Sequence, residues 1–134
     1  MGGLRVAAIA SLTPLEELDR HPFLVDTRSQ QRMCAHWAGQ QGHTITRQLV
    51  FCGVRHDLCA LWADVEDDRV DFFLAPNQRV LARALVSVPD FMAECARRGV
   101  DVRTADLPEP VYDAAMKADV HRRLSMPTAG YDGC

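Results

Sequence analysis

The feature that most constrains this chain is Leu4 to Thr13, LRVAAIASLT, a stretch that is apolar from Val6 to Ala10, turns polar at Ser11 and meets Pro14. A run with so little polar alternation suits a β-strand buried on both faces, and such a strand needs helices above and below its sheet. It predicts a central strand. In open α/β sheets the carboxyl end of a strand of this kind is where loops and helix starts converge on ligands or reacting groups, so Thr13 is the first residue to explain. Two roles are open to it. Thr13-Pro14-Leu15-Glu16 has the form of a helix start, with a hydroxyl N-cap, proline at the first helical position and an acid to close a capping box. The same hydroxyl is a candidate for chemistry.

Downstream, helical and strand patterns alternate. Ser29 reads as the cap of a helix that carries Met33, Trp37 and Ala38 on one side and stops at Gly42; residues 43–51 are β-branched and apolar, as a strand requires. Leu58, Leu61, Trp62 and Val65 fall at helical spacing, with acids gathering at the far end, where the helix dipole calls for fraying or a basic neighbour. Residues 70–75 predict a short buried strand and 78–86 a helix. Pro89 cannot lie inside one long helix, so Ser87-Val88-Pro89-Asp90 predicts a new start, and Arg97-Arg98-Gly99 its stop. Residues 100–103 are a fourth strand, 107–110 a proline-bearing linker and 111–124 a last helix. The alternation predicts parallel βαβ units in an α/β sandwich, divided as an α/β domain over 1–106, a linker and helix over 107–124 and a tail over 125–134.

Composition removes several function classes. At 134 residues, 48% of them hydrophobic, the chain can build one core without disulfides or a metal. A net charge of −3 gives no bulk pull toward nucleic acid, so any such binding must be local. Five scattered cysteines and no signal-like start read as a reducing cytoplasm, and no apolar run approaches the roughly 18 residues of a membrane span. Cys52, His56 and Cys59 bring three soft ligands together, but zinc wants a fourth; buried strand and helix cysteines are the plainer reading. Ser11 to Glu16 holds no glycine, which disfavours a phosphate loop, and no GxSxG elbow appears. No cofactor or metal is expected.

Four blocks, taken in order, carry a resemblance. Residues 5–13 end a strand on a hydroxyl; Ser29-Gln30-Gln31-Arg32 opens a helix that closes on glycine; Arg55-His56-Asp57-Leu58 makes a turn; Val70-Asp71-Phe72-Phe73-Leu74 precedes Arg79-Val80-Leu81-Ala82-Arg83 and, later, Arg98-Gly99-Val100. Over roughly residues 4 to 104 this order resembles the catalytic domain of the resolvase/invertase serine recombinases, which cut and rejoin DNA through a phosphoserine linkage. That family's first strand ends in arginine, an apolar residue and the nucleophilic serine, and it carries an SxxxQR-type helix start, an RPGL turn, a VDVVVV strand, a DRLxR signature and an RGV strand entry. The resemblance implies a resolvase-like three-layer sandwich with a mostly parallel sheet of four to five strands. It places the site-equivalent residues at Thr13, Gln30, Arg55, Arg79 and Arg83.

The departures bear on function. Thr13 stands where the nucleophilic serine belongs, and Ser11 where the family has a phosphate-binding arginine. Counted back from Gly99 without a gap, Arg79 and Val80 take the Asp-Arg positions of the signature while Arg83 keeps its last arginine; a frame shifted by one matches Arg79 to the first signature arginine instead. Guanidinium donors stabilise charge on a transferring phosphate, and losing one typically costs on the order of 10²–10³ in rate. Local roles compete as well: Gln30 solvating its first turn, Arg55 pairing with acids of its own helix, Arg83 as a solvated charge.

The expectation is a catalytically degenerate recombinase-like domain that serves as a binding, regulatory or protein–protein interaction module. Its partner would be a second copy or another protein, met through Val111, Ala114, Ala115, Ala118 and Leu124 of the last helix. Serine recombinases continue into a long dimerising helix and a DNA-binding domain; here the last helix spans about 21 Å, so DNA is expected only as a weak partner. Two alternatives stand beside this reading, an active site-specific recombinase fragment using Thr13 and a small-molecule-binding α/β domain.

Overall fold

The computed structural model describes residues 3–53, 59–67 and 70–125. Along the chain come strand β1 (Arg5–Ser11), a 3-10 turn (Leu15–Glu17), helices α1 (Pro22–Val25) and α2 (Thr27–Gln40), β2 (Thr44–Phe51), α3 (Cys59–Glu66), β3 (Phe72–Ala75), α4 (Gln78–Ala84), α5 (Val88–Arg98), β4 (Asp101–Thr104) and α6 (Ala114–Ser125). The four strands make one parallel sheet in the order β2-β1-β3-β4. β1 is therefore internal, and every residue from Val6 to Ser11 is buried, as its apolar run requires.

Alternation along β1 builds two cores. Val6 and Ala8 join Cys34 of α2 with Phe72 and Leu74, while Ala7 and Ile9 on the opposite face join Trp62, Phe73, Leu81 and Phe91. Helices thus cover both sides in three layers. On the second face Trp62 stacks on Phe91 at 5.6 Å between ring centroids and meets Phe73 edge-on at 5.9 Å, a geometry aromatic quadrupoles favour. The β1–β2 register runs from Val6 opposite Ile45 to Ala7 opposite Arg47, skipping Thr46. That bulge sends Ile45 to the α2 core and Leu49 and Phe51 to the other.

Several element ends differ from expectation. α2 begins at Thr27, not at Ser29, because Asp26 is its cap and accepts from the Ser29 N–H at 3.3 Å. The 3-10 turn replaces the helix expected after Thr13: Pro14 is extended with ψ 142°, and no side chain caps the turn. α5 starts and stops as read, with Ser87 accepting from the Asp90 N–H at 3.3 Å and Gly99 at a φ of 72°. The acidic end of α3 meets a cation of α5, Glu66 to Arg98 at 2.6 Å. Ser125 belongs to α6 rather than to the tail. α6 packs on the domain, with Val120 buried against Leu18 and Val25 and Leu124 in the same cluster. The expected seam is accordingly split, since Leu124 turns inward while Val111, Ala114, Ala115 and Ala118 are exposed.

Cys34 and Cys95 are free and buried, and burial raises both thiols to about 12, which makes them inert packing groups. Cys52 is exposed and disulfide-bonded, not the buried strand cysteine of the sequence reading. No helix among the described residues is long and apolar enough to cross a membrane.

Phe73 is 1% exposed between Trp62 and Phe91. Phe73→Ala is expected to lower the unfolding free energy by about 3–5 kcal/mol, read as a fall in the urea midpoint with the denaturant slope unchanged.

Candidate functional site

From β1 the chain goes through α2 to β2 on one side, then returns to β3 on the other side of β1. Such a reversal opens a crevice beyond the carboxyl ends of the two strands, the usual place for a ligand in a sheet of this kind. Ser11, Leu12 and Thr13 leave β1 there, and Pro76 and Asn77 leave β3.

The exit of β1 is held by Gln30. Its Oε1 accepts from the Ser11 N–H at 2.7 Å, and its Nε2 donates to the carbonyls of Phe23 at 2.8 Å and Leu24 at 3.1 Å. The Ser11 hydroxyl donates to the Leu24 carbonyl at 3.2 Å, and the Thr27 hydroxyl donates to the Ser11 carbonyl at 3.0 Å. Ser11 and Gln30 are both fully buried. Gln30 is thus not the solvating side chain of a first turn: it is a structural tie, and Ser11 is sealed beneath it. Two residues on, Thr13 is 4% exposed and its hydroxyl has no hydrogen-bond partner among the described residues. The expected N-cap role fails, because the tight turn starts on an extended Pro14 and leaves Thr13 outside the cap position. Among the described residues no group holds the Thr13 proton or is placed to activate it as a nucleophile.

α4 brings two arginines to the same crevice. Asn77 caps that helix by accepting from the Val80 N–H at 3.0 Å, and its Nδ2 donates to Glu109 at 2.8 Å. Arg79 and Arg83 follow one turn apart on one helix face. Arg79 Nη1 reaches both oxygens of Glu109, at 2.8 and 3.0 Å, and Nη2 lies 3.3 Å from His21 Nδ1. Arg83 grips Glu17 with two nitrogens, at 3.2 and 2.9 Å. Glu17 ends the 3-10 turn that Thr13-Pro14 leads into, so this pair ties the exit of β1 to α4. The Gly53 N–H donates to the Arg83 carbonyl at 3.3 Å; Arg55 lies outside the described residues. Of the five positions, then, Arg79 and Arg83 share a helix face, Thr13 and Gln30 flank the exit of β1, and Arg83 alone is tied, through Glu17, to the 3-10 turn that follows that exit.

Sequence reasoning missed the carboxylates. Besides Glu17 and Glu109 there is Asp26, 3% exposed, which accepts from the Ser29 hydroxyl and the Tyr112 hydroxyl at 2.7 Å each and from Arg123 at 3.2 Å. Burial alone would raise the Asp26 carboxyl, but the hydrogen bonds from Ser29 and Tyr112 and the Arg123 charge outweigh it and hold the group below the ordinary aspartate range. Burial, reinforced by Asp26, pushes the Tyr112 phenol up. The signal for Asp26 was present as an Asx residue one step before a helix; those for the glutamates were not local. Among the described residues no three His, Cys, Asp or Glu side chains gather as a metal site.

No family model and no curated protein matches the sequence. Among solved structures the chain is similar to the C-terminal catalytic domain of ISC1926 TnpA, an IS607-like serine recombinase, with 18% identity and a TM-score of 0.59 over 91% of this chain and 80% of that one. It is also similar to the N-terminal catalytic domain of TP901-1 integrase, with 14% identity and a TM-score of 0.58 over 88% of this chain and 90% of that one. The α/β fold is that of serine recombinase catalytic domains, as the sequence resemblance implied. Identities this low speak for the fold, and the chemistry rests on this chain's own residues.

Two outcomes follow from the buried polar groups. Gln30→Ala orphans the Ser11 N–H and the Phe23 carbonyl in the interior and is expected to cost about 3 kcal/mol, measured by urea unfolding. Asp26, lowered in the folded state, contributes stability that is complete above about pH 4 and lost as the pH falls through its folded value. Below pH 4 the midpoint of the native chain should therefore fall more steeply than that of Asp26→Asn, which starts lower at pH 7 by about 2 kcal/mol.

Proposed function

We propose that this chain is a serine-recombinase-like domain that has given up DNA cleavage and serves as a binding or regulatory module for a protein partner. The observation that carries this reading is the occupation of its arginines. Arg83 is bound to Glu17 and Arg79 to Glu109, so each guanidinium already has an anion from its own chain where a transferring phosphate would need free donors. Ser11, at the position where the resemblance expects another arginine, is buried and consumed by Gln30 and Leu24. The hydroxyl at the nucleophile position is secondary, β-branched and 4% exposed. Each change works against phosphoryl transfer, and their effects within one constellation need not add.

One observation favours the alternative of an active domain that uses Thr13. The Thr13 hydroxyl is buried with no partner among the described residues; an unsatisfied hydroxyl of this kind costs about 1–3 kcal/mol of desolvation, and a catalytic role is one reason such a group is retained. Thr13→Val separates the two. In a module without cleavage, the substitution is expected to leave the fold intact and raise stability by about 1 kcal/mol, and neither protein leaves a denaturant-resistant adduct on DNA. A covalent adduct formed by the native chain and abolished in Thr13→Val would reject the proposal.

A further inference from the structure

We propose that the open edge of β2, with the groove between it and α2, is a docking site for an extended acidic peptide segment of a partner protein, which adds to the sheet as a fifth strand. The groove borders the β1 exit at Thr27, but neither Thr13 nor any residue of α4 lines it. Among the described residues β2 is an outer strand. Its Phe51 carbonyl turns inward, accepting from the Leu12 N–H at 2.9 Å. Alternation along the strand then directs the N–H and C=O of Gln48 and Val50 away from β1, onto the free edge. Open edges of this kind are templates for pairing with another chain.

The side chains of the same two residues face α2. Ala8 and Ala10 of β1 stand opposite Gln48 and Val50 in the register, and Ala8 belongs to the α2 core. Gln48 and Val50 line a groove of about 440 Å³ with Arg28, Gln31, Arg32 and Ala35, residues that form one stripe of α2 at i, i+3, i+4 and i+7. Val50 is 38% exposed there, an apolar floor without a cover.

The groove has unused chemistry. Arg28 and Arg32 are exposed and make no ion pair or hydrogen bond with the described residues. By contrast Arg5, Arg79, Arg83, Arg98 and Arg123 each hold a carboxylate. Gln31 donates through Nε2 to the Leu49 carbonyl at 3.3 Å, which orients its amide and leaves Oε1 buried with no donor among the described residues. The groove thus offers two free cations, an acceptor in need of an N–H and a strip of open backbone. An added strand presents every second side chain to the α2 side, so carboxylates at alternate positions meet Arg28 and Arg32 while its amides supply Gln31 and the edge. Main-chain pairing would give affinity and the alternating pockets specificity. A nucleic acid backbone carries the charge but has no N–H and no strand to complete the sheet, and the net charge of −3 works against it.

The test uses the full chain and a fluorescein-labelled peptide of about eight residues that alternates glutamate with valine, both ends blocked, followed by anisotropy at low salt. Saturable binding is expected, with affinity lost about tenfold in the double variant Arg28→Glu/Arg32→Glu. Both residues are exposed, so this variant should keep the native melting temperature. Gln48→Pro removes an edge N–H without changing charge and should weaken binding as well. If that variant does not fold, amide exchange at Gln48 and Val50 in the native chain, slowed by the peptide, reports the same pairing. Absence of binding, an affinity unchanged in Arg28→Glu/Arg32→Glu, or Gln48 and Val50 amides that exchange as fast with peptide as without overturns the proposal. So does an oligonucleotide that binds more tightly than the peptide and is lost in the same double variant, which would assign the groove to nucleic acid.

Discussion

The domain depends on the Gln30 amide at the point where β1 runs out. A strand buried on both faces reaches Ser11 with an N–H that water cannot reach, and α1 is only four residues long, too short to use the carbonyls of Phe23 and Leu24 within itself. One glutamine supplies an acceptor to the first and donors to the other two. In a low-dielectric interior such a set is strong when complete and costly when broken. It also fixes α1, α2 and β1 to one another, so that the crevice has a rigid wall.

The charged groups around that wall fall into two kinds. Asp26 is buried, with two hydroxyls and a guanidinium around it, and it ties α6 to the start of α2. The pairs Arg79–Glu109 and Arg83–Glu17 lie nearer solvent, their arginines 50% and 34% exposed, where an ion pair is worth about 0–1 kcal/mol. Such pairs occupy the arginines without locking them. Glu109 sits between Pro108 and Pro110, whose fixed φ angles stiffen its segment, so its carboxylate is presented to Arg79 and Asn77 by a short, restrained arm.

What the sequence disclosed was what local pattern controls. The apolar run of β1, the proline start and glycine stop of α5 and the glycine stop of α2 all rest on neighbours within a few residues, and each is found in place. The Thr13 cap failed because a capping box needs a full helical turn after it, and the chain makes only three 3-10 residues there. Asp26 and Ser29 are both good caps, and burial against Tyr112 and Arg123, far along the chain, decided between them. The partners of Arg79 and Arg83 lie 30 and 66 residues away. No periodicity encodes such pairs, so the arginines were legible as candidates while their neutralisation was not.

The bulge in β2 carries a further consequence. Ile45, Leu49 and Phe51 all occupy odd positions, and an unbroken strand would lay all three on one side of the sheet. Skipping one residue at Thr46 shifts the phase of everything after it, so one apolar set is shared between two cores and a polar residue, Gln48, comes to share a side with Ile45. Shortening the strand by that one residue would reverse the faces of its second half, bringing Leu49 and Phe51 under α2 and stripping the opposite layer of both. The two-sidedness of the sheet at this margin is thus set by the count of residues in the strand rather than by their hydrophobicity.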